Sequence, residues 1–99
     1  MFKTESIRHA WPEKAGFAIN RPKGHWQYTF LHFFNSVEIL AEGKLTKAPP
    51  HACILYRPGT PQYFISRQPL THDWIHFSGD ISGVPGLSEF QPDRLYFPP

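Results

Sequence analysis

An apolar strand and a tight turn follow each other in the run ACILYRPGTPQY, residues 52–63. The almost continuous apolar stretch 52–56 is typical of a short strand that is buried on both faces. Pro58 has the φ that the second position of a turn needs, and Gly59 accepts the positive φ that a type II turn requires at its third position. We therefore predict a strand, a turn at residues 57–61 and a second strand at residues 62–66.

Two more strands are predicted before this run and one after it. Residues 25–34 are rich in aromatic residues, and residues 37–42 and 73–78 alternate between apolar and polar, as strands with one buried face do. Eleven prolines and seven glycines argue against long helices. Short strands with turn signals between them predict an all-β protein, built as an antiparallel sandwich or barrel.

The 99 residues suffice for one domain. Residues 1–24 are mixed in character and interrupted by Pro and Gly, so we predict an irregular N-terminal arm there and a barrel domain in residues 25–99. A closed barrel of this type usually has about eight strands. Because only five are predicted, we expect the barrel to be truncated at its C-terminal end.

Composition and charge exclude several classes of function. The net charge is +2 and no two of the ten Lys and Arg residues are adjacent, which is unlike a DNA-binding surface. The single Cys53 excludes an intramolecular disulfide, fits the reducing cytoplasm and is predicted to be buried and inert. The longest apolar run, residues 30–34, is far shorter than the roughly 20 residues of a membrane span. We expect a cytoplasmic protein without membrane or direct DNA contacts.

The sequence carries no recognisable catalytic or metal-binding signature. Its six histidines include no His-x-His pair, and alternation places Asp73 on the opposite face from His76, so no third ligand joins His72 and His76. Nucleophile-elbow, phosphate-loop and dinucleotide-binding motifs are absent. The acidic pair Glu38 and Glu42 fits a solvated strand edge. We therefore predict no catalytic residue, no metal and no cofactor, and hence no enzyme.

Aromatic side chains are the remaining signal. One face of the first predicted strand carries Trp26, Tyr28, Phe30 and His32. One face of the last predicted strand carries Trp74 and His76. Flat apolar rings with polar tips suit a sugar or another polyol. The alternative is that the rings fill the core, which we favour for Trp26, Phe30 and Phe33, while both interpretations stay open for His72 and Trp74.

Three pieces of the chain, taken in order, resemble the N-terminal effector domain of AraC-type transcription regulators. They are YTFLHF at residues 28–33, ACILYRPGTPQY at residues 52–63 and DWIHF at residues 73–77. They are similar to the family's opening barrel strand, its apolar strand with a Pro-Gly turn, and its Trp-x-x-Phe strand. The resemblance implies a cupin-like antiparallel β-barrel, or jelly roll, that binds a small effector, often a sugar.

The resemblance also implies roles for individual residues. The family's Trp stacks on the ligand in sugar sensors, with a His two residues earlier contacting it; here these are Trp74 and His72. Tyr63, after the Pro-Gly turn, is the matching pocket aromatic. Gln62 stands where the family usually has His. Some sugar sensors of the family end the first strand with Arg-Gly. This sequence has Asn35 there instead, and its amide can hydrogen-bond the ligand. The predicted ligand-binding residues are Tyr28, His32, Asn35, Tyr63, His72 and Trp74.

For the whole protein the resemblance implies transcription regulation. The domain is expected to sense a small effector, to form a homodimer, and to act on DNA only through a C-terminal helix-turn-helix region that lies outside this sequence. Ligand would order the arm over the pocket mouth and shift a population of conformers. Two alternatives stay open: a small stand-alone cupin enzyme, such as a metal-dependent isomerase or epimerase, and an association module whose strand edges pair between chains.

Overall fold

The computed structural model describes residues 3–79 and 91–97, which form nine β-strands and no α-helix. None of these residues belongs to a helix long and apolar enough to cross a membrane. The strands are β1 Lys3–Glu13, β2 Ala18–Arg21, β3 Tyr28–Phe33, β4 Val37–Ala41, β5 Lys44–Ala48, β6 Cys53–Tyr56, β7 Gln62–Ile65, β8 Leu70–Ser78 and β9 Leu95–Tyr96.

The strands form two antiparallel sheets, so the predicted all-β class is confirmed. The first sheet has the order β1-β8-β3-β6-β9 and the second has the order β2-β7-β4-β5. Their inner faces share one apolar core. The first sheet contributes Leu31, Phe33, Ile54, Tyr56 and Leu70 to it. The second sheet contributes Val37, Ile39, Ala41, Ala48 and Phe64.

All five predicted strands are present, as β3, β4, β6, β7 and β8. The turn between β6 and β7 is also as predicted: Gly59 has a φ of 82°, and the N–H of Thr60 donates to the carbonyl of Arg57 at 3.2 Å. In β6, Ile54, Leu55 and Tyr56 are fully buried. Cys53, predicted to be buried, is half-exposed instead.

A further strand, β5, follows β4 through a two-residue turn that the sequence analysis did not assign. Ala41 pairs with Lys44, and the residues between them, Glu42 and Gly43, both have positive φ, 52° and 77°. Two positive φ values define the type I′ hairpin turn. Glu42 therefore lies in the turn, while Glu38 lies on β4 and binds Arg67 at 3.3 Å.

Residues 3–13 and 18–21 form strands, so the prediction of irregular structure in these parts of the N-terminal segment was wrong. β1 pairs with β8 from Lys3↔Ser78 to Glu13↔Leu70, and β2 pairs with β7. These distant partners supply backbone hydrogen bonds that no local pattern reveals. The connection between β1 and β2 passes from one sheet to the other, and its Gly16 N–H donates to the carbonyl of Ser66 at 2.7 Å.

The inner face of β3 is the opposite of the aromatic face singled out in the sequence. Thr29, Leu31 and Phe33 are buried in the interior, whereas Tyr28, Phe30 and His32 alternate with them on the outer face. The predicted core position of Phe33 is confirmed. Two other predicted core residues are not in the core cluster: Trp26 is 68% exposed and Phe30 is half-buried on the outer face.

Candidate functional site

A cavity of about 210 Å³ lies between the two sheets. Its walls come from β1, β2, β3, β7, β8 and the connection between β1 and β2. The lining residues are Glu13, Phe17, Ile19, Arg21, Thr29, Leu31, Gln62, Phe64, His72, Trp74 and His76. Strand alternation explains this set, because residues two apart on one strand point to the same side of a sheet.

Aromatic rings form one part of the cavity wall. The ring centroids of Trp74 and His72 are 5.0 Å apart, and those of Phe17 and Phe64 are 5.9 Å apart. Phe17 also lies 5.9 Å from His72, so the rings of β8, β7 and the β1–β2 connection contact one another. Such a wall offers flat apolar faces to a ligand and packs at distances typical of favourable ring pairs.

A chain of hydrogen bonds runs along one end of the cavity. Nη1 of Arg21 donates to Oε1 of Gln62 at 3.0 Å, and Nε2 of Gln62 donates to Oγ1 of Thr29 at 2.9 Å. Oγ1 of Thr29 lies 3.1 Å from Nδ1 of His76. The Thr29 oxygen accepts from Gln62 and keeps both its proton and a second lone pair. It can therefore donate to Nδ1 of His76 or accept from it, according to the tautomer of His76.

The surroundings of His76 keep its ring neutral. Burial, followed by the charges of His25 and Arg21, lowers the pKa of His76 to about 4, so the ring is neutral at pH 7. In the tautomer that accepts from Thr29 at Nδ1, the ring carries its proton on Nε2. The ring of His25 stacks on it with centroids 4.1 Å apart. Burial also lowers the pKa of Arg21, since desolvation disfavours its charged form.

A second polar pair lies in the part of the cavity formed by the end of β1. Nε2 of His72 is 3.2 Å from Oε2 of Glu13, so a neutral His72 donates to that carboxylate. Burial lowers the pKa of His72 and outweighs the opposite effect of Glu13. Nδ1 of His72 is buried and has no hydrogen-bond partner among the described residues.

Two of the six sequence-predicted ligand residues, His72 and Trp74, line the cavity. The other four lie elsewhere. Tyr28 stacks on Phe77 with ring centroids 5.2 Å apart, and Nδ1 of His32 is 2.9 Å from the carboxylate of Asp73. Oδ1 of Asn35 accepts from the N–H of Thr71 at 2.8 Å. Tyr63 alternates on β7 with Gln62 and Phe64, which face the cavity. A binding role for these four residues stays a prediction.

Several cavity residues were missed by the sequence analysis. Four of them, Glu13, Phe17, Ile19 and Arg21, belong to the N-terminal segment. A signal was present there, since Phe17, Ile19 and Arg21 alternate with a period of two, as a half-buried strand does. The rest of the missed set is Thr29, Leu31, Gln62, Phe64 and His76. For Thr29 no such signal was present, because both faces of β3 carry apolar residues.

Metal ligation has little support in the part of the chain that is described. No group of three His, Cys, Asp or Glu side chains in residues 3–79 and 91–97 is placed to hold a metal ion. Cys53 lies outside the cavity, and burial, followed by the charge of Asp73, raises the pKa of its thiol. A raised pKa disfavours the thiolate that a metal or an electrophile would need.

Comparison with known proteins assigns the chain to no family. No protein-family model matches the chain, and no curated protein matches it either.

Proposed function

We propose that this protein is the effector-sensing domain of an AraC-type transcription regulator, and that it binds a small molecule in the cavity between its two sheets. The observation that carries the proposal is the lining of this cavity, where an aromatic wall meets an ordered chain of polar groups. Small-molecule sites in proteins are mostly apolar, with a few well-placed polar groups that orient the ligand. The resemblance of residues 28–33, 52–63 and 73–77 to the AraC type supplies the regulatory role.

The N-terminal segment gives the cavity a way to signal. Glu13, Phe17, Ile19 and Arg21 all come from this segment and line the cavity. A ligand that touches them together with Trp74 stabilises the segment against the rest of the domain. Such a ligand shifts the population towards conformers in which the segment is docked. In a homodimer, docking would change how a helix-turn-helix region outside these residues is presented to DNA.

The first test is a thermal-shift screen of the protein against sugars, polyols and small organic acids. A ligand that binds only the folded state raises the melting temperature in a saturable way. We expect one class of compound to do so. If no compound in any class shifts the melting temperature of the folded protein, the proposed cavity ligand is rejected.

A pair of matched variants locates the binding. Ile19 lines the cavity and Ile65 is a half-buried residue of the neighbouring strand that does not. Ile19→Phe adds volume inside the cavity and is expected to abolish the shift, whereas Ile65→Phe is expected to keep it. An equal response of the two variants would place the ligand elsewhere.

A further inference from the structure

The guanidinium of Arg21 is a partly buried charge that has no counter-charge in the described structure. Its pairing is with the neutral amide of Gln62. The ion pairs of the described side chains involve other bases, and no carboxylate among those side chains lies within ion-pair distance of Arg21. Removing a charge from water is costly unless the charge is paired. Because Arg21 lines the cavity, a bound ligand is well placed to supply the missing negative charge.

Arg21 and His76 offer hydrogen-bond donors to a ligand at this end of the cavity. A guanidinium has five N–H donors, and the structure uses one of those of Arg21 for Gln62. When Nδ1 of His76 accepts from the Thr29 hydroxyl, the neutral ring carries its proton on Nε2. The Gln62 amide already uses one lone pair for Arg21 and one N–H for Thr29. Because Arg21 has four further N–H donors, a group that accepts hydrogen bonds fits this end of the cavity best.

The size and the remaining lining limit the rest of the ligand. A volume of about 210 Å³ corresponds to about seven waters at roughly 30 Å³ each, which suits one ring or a short chain. Trp74, Phe64 and Leu31 offer this part an apolar wall. His72, which binds Glu13, is four residues from His76 along β8, or about 13 Å. The negative charge of Glu13 disfavours a second anionic group there.

From these observations we propose that the cavity binds a small monocarboxylate, with its carboxylate on Arg21 and the Nε2–H of His76 and its apolar body against Trp74 and Phe64. This inference rests on the proposed function, because it names the chemical class of the effector. A carboxylate matches the fork of a guanidinium and can form two parallel hydrogen bonds with it. A neutral sugar would leave the charge of Arg21 without a partner.

The test compares charged and neutral ligands of the same shape. Isothermal calorimetry and thermal shift are measured with benzoate and with benzamide, with cyclohexanecarboxylate and its primary amide, and with a set of neutral sugars. We expect saturable binding of at least one carboxylate and binding of its amide that is at least tenfold weaker. Hydrogen bonds to a charged group are typically worth about 1.5–3 kcal/mol, which corresponds to roughly tenfold or more.

Substitutions of Arg21 then test whether its guanidinium recognises the charge of the carboxylate. Arg21→Gln is expected to weaken carboxylate binding at least tenfold, and Arg21→Lys is expected to retain part of the affinity because the charge remains without the fork. Arg67→Gln, which changes an exposed arginine paired with Glu38, serves as the matched control and is expected to bind like the wild type. Circular dichroism shows whether each variant is folded.

The possible outcomes separate this inference from the proposed function. If sugars or amides bind as well as carboxylates, or if folded Arg21→Gln retains full carboxylate affinity, the carboxylate assignment is overturned and the ligand-binding domain stands. If none of these compounds binds to the folded protein, both proposals fail. If Arg21→Gln does not fold, the wild-type comparison of each acid with its amide still decides the matter.

Discussion

Asp73 on β8 and His32 on β3 face each other across the first sheet, with the carboxylate 2.9 Å from Nδ1 of His32. The other carboxylate oxygen lies 2.8 Å from Nδ1 of His9 and accepts the backbone N–H of Ala10 at 2.6 Å. Ala10 has a positive φ of 49° and lies where the register between β1 and β8 shifts. Asp73, on β8, therefore links an irregular point of β1 on one side of this strand to β3 on the other side.

Replacing this carboxylate is expected to loosen the first sheet. Asp73→Asn is predicted to lower the free energy of unfolding by about 1–3 kcal/mol, because the variant loses hydrogen bonds to a charged acceptor. Chemical denaturation measures the change. Glu38→Gln is the control: Glu38 also pairs with a base across the structure, but its partner Arg67 is exposed, so a loss of less than about 1 kcal/mol is expected.

The pairing of Asp73 also predicts how the stability of the protein changes at acidic pH. Burial raises the pKa of Asp73, but the hydrogen bonds from Ala10, His32 and His9 outweigh it, and the net pKa is lowered. A lowered carboxylate pKa contributes stability above the unfolded value, about 3.9, and this contribution is lost as the pH falls through the folded value. The difference between wild type and Asp73→Asn should therefore shrink below pH about 4. A difference that stays constant to pH 2 would contradict this assignment.

His76 is expected to make the protein less stable as the pH falls from about 6.5 to 4. Its pKa in the folded protein is about 4, against about 6.5 in the unfolded chain, so in this window the unfolded chain binds the additional proton. The loss is expected to reach about 1–2 kcal/mol, less than the full shift implies, because solvent in the cavity screens the charge. Unfolding curves measured at several pH values test it.

A variant isolates the contribution of His76 from that of His72, whose pKa is also lowered. His76→Gln retains an acceptor for the hydroxyl of Thr29 and has no titration in this range. The slope of stability against pH should be smaller in His76→Gln than in the wild type. Equal slopes would assign the pH dependence to other groups.

Asp93 is predicted to stabilise the turn between β6 and β7 from a distant part of the chain. Its carboxylate accepts from the N–H of Arg57 at 2.9 Å, from Nε of Arg57 at 2.7 Å and from the hydroxyl of Thr60 at 3.2 Å. Asp93→Ala should lower the free energy of unfolding by about 1–3 kcal/mol, since it removes the acceptor of three hydrogen bonds at a partly buried site. Asp93→Asn, which retains one oxygen and tolerates the φ of 65°, should lose less.

Gly24 and Gly16 form a matched pair for a test of backbone packing. Both have positive φ, 72° and 85°, but a Cβ on Gly24 would lie 2.5 Å from the carbonyl oxygen of Thr60, while a Cβ on Gly16 would meet nothing within 4 Å. Gly16→Ala is expected to cost only the strain of the left-handed conformation, about 1–2 kcal/mol. Gly24→Ala should cost clearly more, because backbone must move. Equal melting temperatures for the two variants would contradict the close approach.

Local backbone preferences account for part of the fold without reference to any long-range contact. Pro58 and Gly59 have backbone preferences that produce the turn after β6 regardless of the surroundings. The alternation along β8 separates His72, Trp74 and His76 from Asp73, because side chains two apart on a strand share a face. The resemblance to AraC-type domains, and not these short-range rules, singled out His72 and Trp74; both line the cavity, and their binding role stays a prediction.

The tertiary structure alone decided which face of β3 is inside and what Arg21 contacts. Both faces of β3 carry apolar residues, so periodicity could not choose between Tyr28 and Thr29; the choice came from packing against the second sheet. Arg21 and Gln62 are 41 residues apart in sequence, and they meet because β2 pairs with β7. Contacts of this kind depend on strand pairing between distant segments, which a local pattern does not encode. Short-range preferences thus account for β3, β4, β6, β7, β8 and the turn after β6, whereas the polar end of the cavity requires the two sheets to pack against each other.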